Sequence, residues 1–304
     1  MSMKQHLQET IELSTDALRV EVTARRGARL TSLFSRHDNR EWLRQPRGGG
    51  DDAGLAFGTT FTESDHAGWD EMFPTVDPCL FPTEPFVGVS VPDHGELWQI
   101  DWDVVDSSPT SLHQRVSSDR FGYTFSRRLS VSEGTLRCDY QCDVDVDIAL
   151  PLLWALHPQF EMLNGSRVVL SEAPATVIDV SNPNAPHDVP WLGDLNVERD
   201  VAQGYDREVY VNPLGHVSAT SIVDESGSEL TMTWDREFAP YLCIWLDRGR
   251  FTQGSVVAFE PTNGYFDDLA RAYADKAIRF IEPDTTTSWW VEIAVGKDST
   301  CKSS

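Results

Sequence analysis

Apolar residues recur along the chain in short runs rather than at helical spacing. The stretches ALRVEVTA (17–24), LWQIDWDV (97–104), FGYTFSRRLSV (121–131), LRCDYQCDVDV (136–146), LTMTW (230–234), YLCIWL (241–246), SVVAFE (255–260) and SWWVEIAV (288–295) are rich in β-branched and aromatic residues. Period-two alternation and such composition predict strands. Between them lie turn-forming clusters such as RQPRGGGDDAG and SNPNAPHD. Only DDLARAYADK, Asp267 to Lys276, predicts a helix. The expected fold is therefore all-β, a large antiparallel β-sandwich with few short helices. No fixed repeat or linker divides it, so we expect one domain over residues 1–296 and a disordered tail over 297–304.

Charge narrows the partners. The 304 residues carry 48 acids and 25 Lys plus Arg, a formal net charge of −23. Such a chain repels nucleic-acid phosphates and anionic membranes, and neither is an expected partner. The five cysteines are unevenly spaced and form no CxxC pair, which fits free thiols in a reducing compartment. The first residues lack the apolar run of a signal peptide, and no stretch reaches the ~18 apolar residues of a membrane helix. A soluble, cytoplasmic protein is expected, of unspecified oligomeric state.

Several chemistries lack their motifs. There is no GxGxxG or GxxxxGK[ST] for a nucleotide cofactor, no HExxH, and no GxSxG nucleophile elbow. CDVDVDI alternates Asp143, Asp145 and Asp147, but Ile148 stands where a calcium loop needs glycine and Trp154 where it needs glutamate. It reads as a solvated strand face, with Val144, Val146 and Ile148 on the core side. Neither metal nor cofactor is expected.

Two apolar runs end in an unexpected side chain. LLWALHP, Leu152 to Pro158, closes on His157, and GSVVAFEP, Gly254 to Pro261, closes on Glu260. Proline holds the preceding residue extended, so each group should continue its strand. A buried imidazole must be hydrogen-bonded, and a buried glutamate must be paired. The matched design places a general acid and a general base at one site. A hydrogen-bonded core histidine and a solvated strand-end carboxylate fit the pattern too. VPDHGELW puts His94 in a turn. GWDEMFPTV puts Trp69, Asp70 and Glu71 in a loop before a strand.

Taken in order, PDHGELW, LLWALHPQF and FEPTNGYFDDL resemble the aldose 1-epimerase (galactose mutarotase-like) family, with GARLTSL and APYLCIWL also similar. The resemblance spans most of the chain and implies the family's large antiparallel supersandwich. It implies that His157 protonates a sugar ring oxygen, that Glu260 takes the anomeric proton, and that His94 hydrogen-bonds the sugar nearby. The family's Asn-Arg pair is not evident. Its sugar-binding aspartate has only weak matches in Asp194 and Asp206. The implied activity is cofactor-independent interconversion of the anomers of a free aldose. The alternative is a non-catalytic sugar sensor on the same fold. Expected substrate contacts are His94, Trp69, Asp70, Glu71 and Trp154, with one or two of Trp69, Trp98, Trp154 and Trp245 at the ligand. Arg40, Arg44 and Arg47 form a candidate anion-binding loop for a phosphorylated sugar.

Overall fold

The computed structural model describes residues 10–24, 26–46, 55–211 and 215–297. Two large sheets dominate. In the first, the strand order runs Thr10–Ser14, Leu18–Thr23, Leu30–Ser35, Trp69–Met72, Ala155–Pro158, Ser255–Thr262, Tyr241–Arg248, Tyr205–Val211, Thr176–Asp179 and His187–Pro190. Arg40–Glu41 and Phe160–Glu161 attach beside this path. The second runs Arg167–Leu170, Ala219–Val223, Ser228–Trp234, Thr287–Lys297, Thr135–Val144, Tyr123–Ser132, Ser111–Ser118 and Asp103–Ser108. Neighbouring strands in both are antiparallel. The all-β sandwich read from the alternation is the observed fold.

The core lies between the sheets. Trp154, just before the strand Ala155–Pro158, meets Tyr140 and Trp289 of the second sheet, with ring centroids 5.2 and 5.3 Å away. A polar knot sits inside this apolar layer. Glu71 accepts hydrogen bonds from Arg127 Nη1 (2.8 Å), Tyr140 Oη (2.9 Å) and Trp154 Nε1 (3.1 Å), and Arg127 also donates to the Ala28 carbonyl. Glu71 and Arg127 have 0 and 1% of their surface exposed, so each charge depends on the other.

Several local expectations fail for physical reasons. LWQIDWDV is mostly a turn, and only its last two residues join the strand Asp103–Ser108. Its alternation comes from Trp98 and Trp102, whose indole N–H groups donate to the carbonyls of Asp93 and Leu97 at 3.1 Å each. GWDEMFPTV is not a loop before a strand, because Trp69–Met72 is itself a central strand. The strand carrying CDVDVDI ends at Val144, so Asp145 and Asp147 leave it and Ile148 is exposed rather than core-facing. The helix is real but shorter, Leu269–Ala274, with the Asp268 side chain accepting from the Arg271 N–H as its N-cap. The last strand includes Lys297, and residues 298–304 lie outside the described residues. No helix among the described residues is long and apolar enough to cross a membrane.

Candidate active site

The site follows from strand alternation. Ala155–Pro158 lies between Trp69–Met72 and Ser255–Thr262, with His157 opposite Asp70 and Leu156 opposite Glu71. Glu71 and Trp154 point inward to the second sheet, so Asp70 and His157 point to the opposite face. Glu260 does not close its strand. It lies inside Ser255–Thr262, opposite Cys243 in the register, and the strand continues through Pro261.

His94 arrives from a turn. Both His94 (φ 58°) and Gly95 (φ 68°) are left-handed, and a Cβ on Gly95 would sit 2.0 Å from the Phe73 carbonyl oxygen. Only glycine fits there. Asp93 ties this turn to the short 3₁₀ segment Phe61–Glu63. Its carboxylate pairs with His94 Nδ1 at 2.8 Å and accepts the Phe61 N–H at 2.8 Å. The Phe61 ring then stacks on His94 (4.1 Å, 3°) and stands edge-on to His157 (5.0 Å, 87°).

These parts enclose a cavity of about 260 Å³. His94, His157 and Glu260 all line it, together with Phe61, His66 and Trp245. His157 and Glu260 do not face each other across the cavity. His157 Nδ1 and Glu260 Oε1 are 2.7 Å apart.

The other expected sugar contacts lie elsewhere. Trp69, Glu71 and Trp154 are fully buried and are absent from the cavity lining. Glu71 and Trp154 face the second sheet, away from the cavity. Asp70 shares the face of His157 but is 2% exposed and held by Arg29, Nε and Nη2 both donating to Oδ2 at 2.9 and 2.8 Å. It backs the site electrostatically. Trp98 is buried edge-on to Phe61. Of the four tryptophans, Trp245 lines the cavity. Asp206 lines it as well, bonded by Arg250, whereas Asp194 pairs with Arg167 and Arg199 outside it. The candidate anion loop dissolves: Arg40 is committed to Asp224 and lies over Trp42, Arg44 is buried, and Arg47 lies outside the described residues.

Sequence reading missed Phe61, His66, Glu208 and Asp267, all of which line the cavity. Asp267 sits in the quoted run FEPTNGYFDDL, where it reads as the start of the helix. Glu208 follows Asp206 by two residues on the strand Tyr205–Val211, and nothing in YDREVYV separates it from a solvated acid. FTESDH has no period at all.

Burial governs the electrostatics. Desolvation pushes the Glu260 carboxyl up to about 8, against the His94 charge and a hydrogen bond from Cys243. Desolvation, with the His94 charge next, pushes His157 well below the usual imidazole value. Both partners are driven toward their neutral forms, so their contact is a hydrogen bond around one proton more than a full ion pair. Burial also raises Glu208, with repulsion from Asp267 and Glu260, and Asp267, with repulsion from Glu260. Tyr210 Oη donates to Asp267 at 2.7 Å and Cys243 Sγ to Glu208 at 3.1 Å. The ligating atoms of Glu208, Cys243 and Asp267 lie within 4.8 Å of one another, close enough for one metal ion. All three are pushed toward protonated forms, which are poor ligands.

A two-sheet antiparallel sandwich carries a histidine–carboxyl pair on the wall of a small cavity. Solved structures of that fold are similar along nearly the whole chain. A Synechocystis protein, Slr1438, superposes with TM-score 0.76 at 15% identity, covering 98% of this chain and 99% of that one. A galactose mutarotase-like protein from Lactobacillus casei gives 0.74 at 17%, covering 95% and 100%. A galactose mutarotase related enzyme from Lactobacillus acidophilus gives 0.73 at 13%, covering 97% and 100%. The fold is galactose mutarotase-like. No family model and no curated protein matches the sequence.

Proposed function

We propose that the protein is a cofactor-independent mutarotase that opens and recloses the ring of a free, unphosphorylated aldose. The observation that carries this reading is the 2.7 Å contact between His157 and Glu260 on the wall of a small cavity. Ring opening must remove the proton of the anomeric hydroxyl and deliver one to the ring oxygen. Reclosure on the other carbonyl face reverses both transfers. An imidazole and a carboxyl side by side supply both functions, each typically contributing 10²–10⁴ in rate. Binding alone does not require such a pair, which favours an enzyme over a sensor.

The cavity supports a neutral monosaccharide. Its volume falls below the roughly 300–1,000 Å³ of pockets for drug-sized ligands, so it suits one ring. Trp245, Phe61 and Phe251 offer apolar faces for C–H surfaces. No lysine or arginine is among the lining residues. The test is a panel of pure anomers, neutral and phosphorylated, followed by polarimetry or NMR. Accelerated interconversion of a neutral aldose supports the reading. Sugar binding with interconversion no faster than buffer overturns it in favour of a sensor.

A further inference from the structure

We propose that Asp93, from outside the cavity, is a positioning residue that fixes a hydrogen on His94 Nδ1, leaves Nε2 for the sugar and seats the Phe61 ring against the imidazole. Its consequence for catalysis rests on the mutarotase reading above, whereas the arrangement of the residues does not.

All three oxygens of Asp93 are engaged. Oδ1 lies 2.8 Å from His94 Nδ1, Oδ2 accepts the Phe61 N–H at 2.8 Å, and the main-chain carbonyl accepts the Trp98 Nε1–H at 3.1 Å. Three rings thus hang on one residue, and they touch one another. Phe61 lies flat on His94 (4.1 Å, 3°), and Trp98 stands edge-on to Phe61 (5.1 Å, 75°). Phe61 and His94 both stand edge-on to His157, at 5.0 and 5.2 Å. The His94 imidazole is therefore held at one edge by the carboxylate and on one face by the phenyl ring. Phe61, His94 and His157 line the cavity, and Asp93 does not. Asp93 can reach a sugar only through the rings it holds.

The chemistry of the link sets the tautomer. A carboxylate only accepts hydrogen bonds, so Nδ1 must carry a hydrogen. Burial would raise the Asp93 carboxyl, but the hydrogen bond and charge of His94 outweigh it. With the Phe61 N–H adding to them, they hold Asp93 below the usual carboxylate range. With Nδ1 spent on Asp93, Nε2 is the ring nitrogen left for the cavity. In the neutral ring it offers a lone pair to a sugar hydroxyl. The second carboxylate oxygen makes the arrangement testable. The Phe61 main-chain N–H can only donate. An Asp93→Asn change must therefore give its amide oxygen to Phe61, which turns the amide NH₂ toward His94. Nδ1 then has to accept, and the hydrogen moves to Nε2. The change keeps the side chain's size and its anchor on Phe61 while reversing the sense of the His94 ring.

Two measurements decide it. In the protein without sugar, 15N-histidine NMR, assigned with His94→Ala, reads the ring directly. We expect a hydrogen on His94 Nδ1 in the wild type. In Asp93→Asn we expect a bare Nδ1 and the hydrogen on Nε2. A bare Nδ1 in the wild type, or an Nδ1 hydrogen retained in Asp93→Asn, overturns the assignment whether or not any sugar reacts. In turnover below the unfolding transition, Asp93→Asn should lower kcat/KM by about 10–10²-fold, the typical cost of removing a group that orients a ligand-binding histidine. The loss should fall mainly on KM, because His94 binds the sugar without acting as acid or base. A purely structural role would not produce that split. His94→Ala supplies the control. If Asp93 acts through His94, Asp93→Asn should cost little more in the His94→Ala background. Losses that multiply in the double variant, or a wild-type kcat/KM in Asp93→Asn, overturn the positioning role and leave the mutarotase reading intact. A wild type that accelerates no aldose overturns that reading, and the NMR result still decides whether Asp93 sets the hydrogen on His94.

Discussion

Two ionisable residues, His157 and Glu260, were legible in the sequence because each interrupts an apolar run where a charge is costly. Asp70 and Glu71 were not separable there. A sequence shows that adjacent strand residues face opposite ways, but not which face meets the other sheet. The structure gives Glu71 to the core and Asp70 to the site side. The residue-scale test of chemistry is Glu260→Gln, whose amide keeps the shape but cannot accept the anomeric proton. We expect a folded protein that binds sugar and loses on the order of 10²–10⁴ in interconversion rate. Calorimetry for binding and NMR for exchange check this on one preparation, and an unchanged rate removes Glu260 from the mechanism. The residue-scale test of stability is Arg127→Leu. It strands the Glu71 carboxylate between the sheets, at a cost of about 3–5 kcal/mol. Urea unfolding should show that loss, and the double change Arg127→Leu with Glu71→Leu should recover much of it. Equal losses in the single and double variants contradict a mutually dependent pair.

Among the elements, long strands with aromatic or β-branched residues were read correctly, as in LRCDYQC, YLCIWL and SWWVEIAV. LWQIDWDV misled because indole hydrogen bonds to nearby carbonyls bury tryptophans inside a turn, a contact with no period. The loop Phe61–His66 was silent in the sequence because its place depends on Asp93, thirty-two residues on. The His94 turn is the element whose shape the site depends on most directly. Gly95→Ala would place a Cβ 2.0 Å from the Phe73 carbonyl oxygen on a left-handed backbone. We expect a stability loss on the order of 1–3 kcal/mol. We also expect a fall in kcat/KM larger than unfolding explains, because His94 and the stacked Phe61 shift together. Urea midpoints and interconversion rates below the unfolding transition test this. A variant with wild-type values for both would show that the turn relaxes without moving the site.

At the scale of the whole molecule, surface charge and the desolvated cavity act in the same direction. The chain carries a formal charge of −23, and the cavity lining includes Asp77, Asp206, Glu208, Glu260 and Asp267 without a lysine or arginine. The environment that lifts Glu260 to about 8 and Asp77 to about 6 is one in which a further negative charge is disfavoured. A phosphate entering it would lose water and gain no cation. Arg250 at the rim is already engaged with Asp206, and Arg29 with Asp65 and Asp70. We therefore expect kcat/KM for an aldohexose to exceed that for its 6-phosphate by on the order of 10–10³, the range over which surface fields alter encounter rates. The two contributions separate with salt. Screening shortens the reach of surface charge to roughly 3 Å at 1 M, so high salt should narrow the ratio by removing the encounter penalty. The desolvation penalty inside the cavity should persist, leaving the neutral sugar preferred. Competition kinetics with the two sugars at low and high salt measure both contributions, and a 6-phosphate that reacts as well as the free sugar would show that the phosphate remains in solvent or finds a cation outside the described cavity lining.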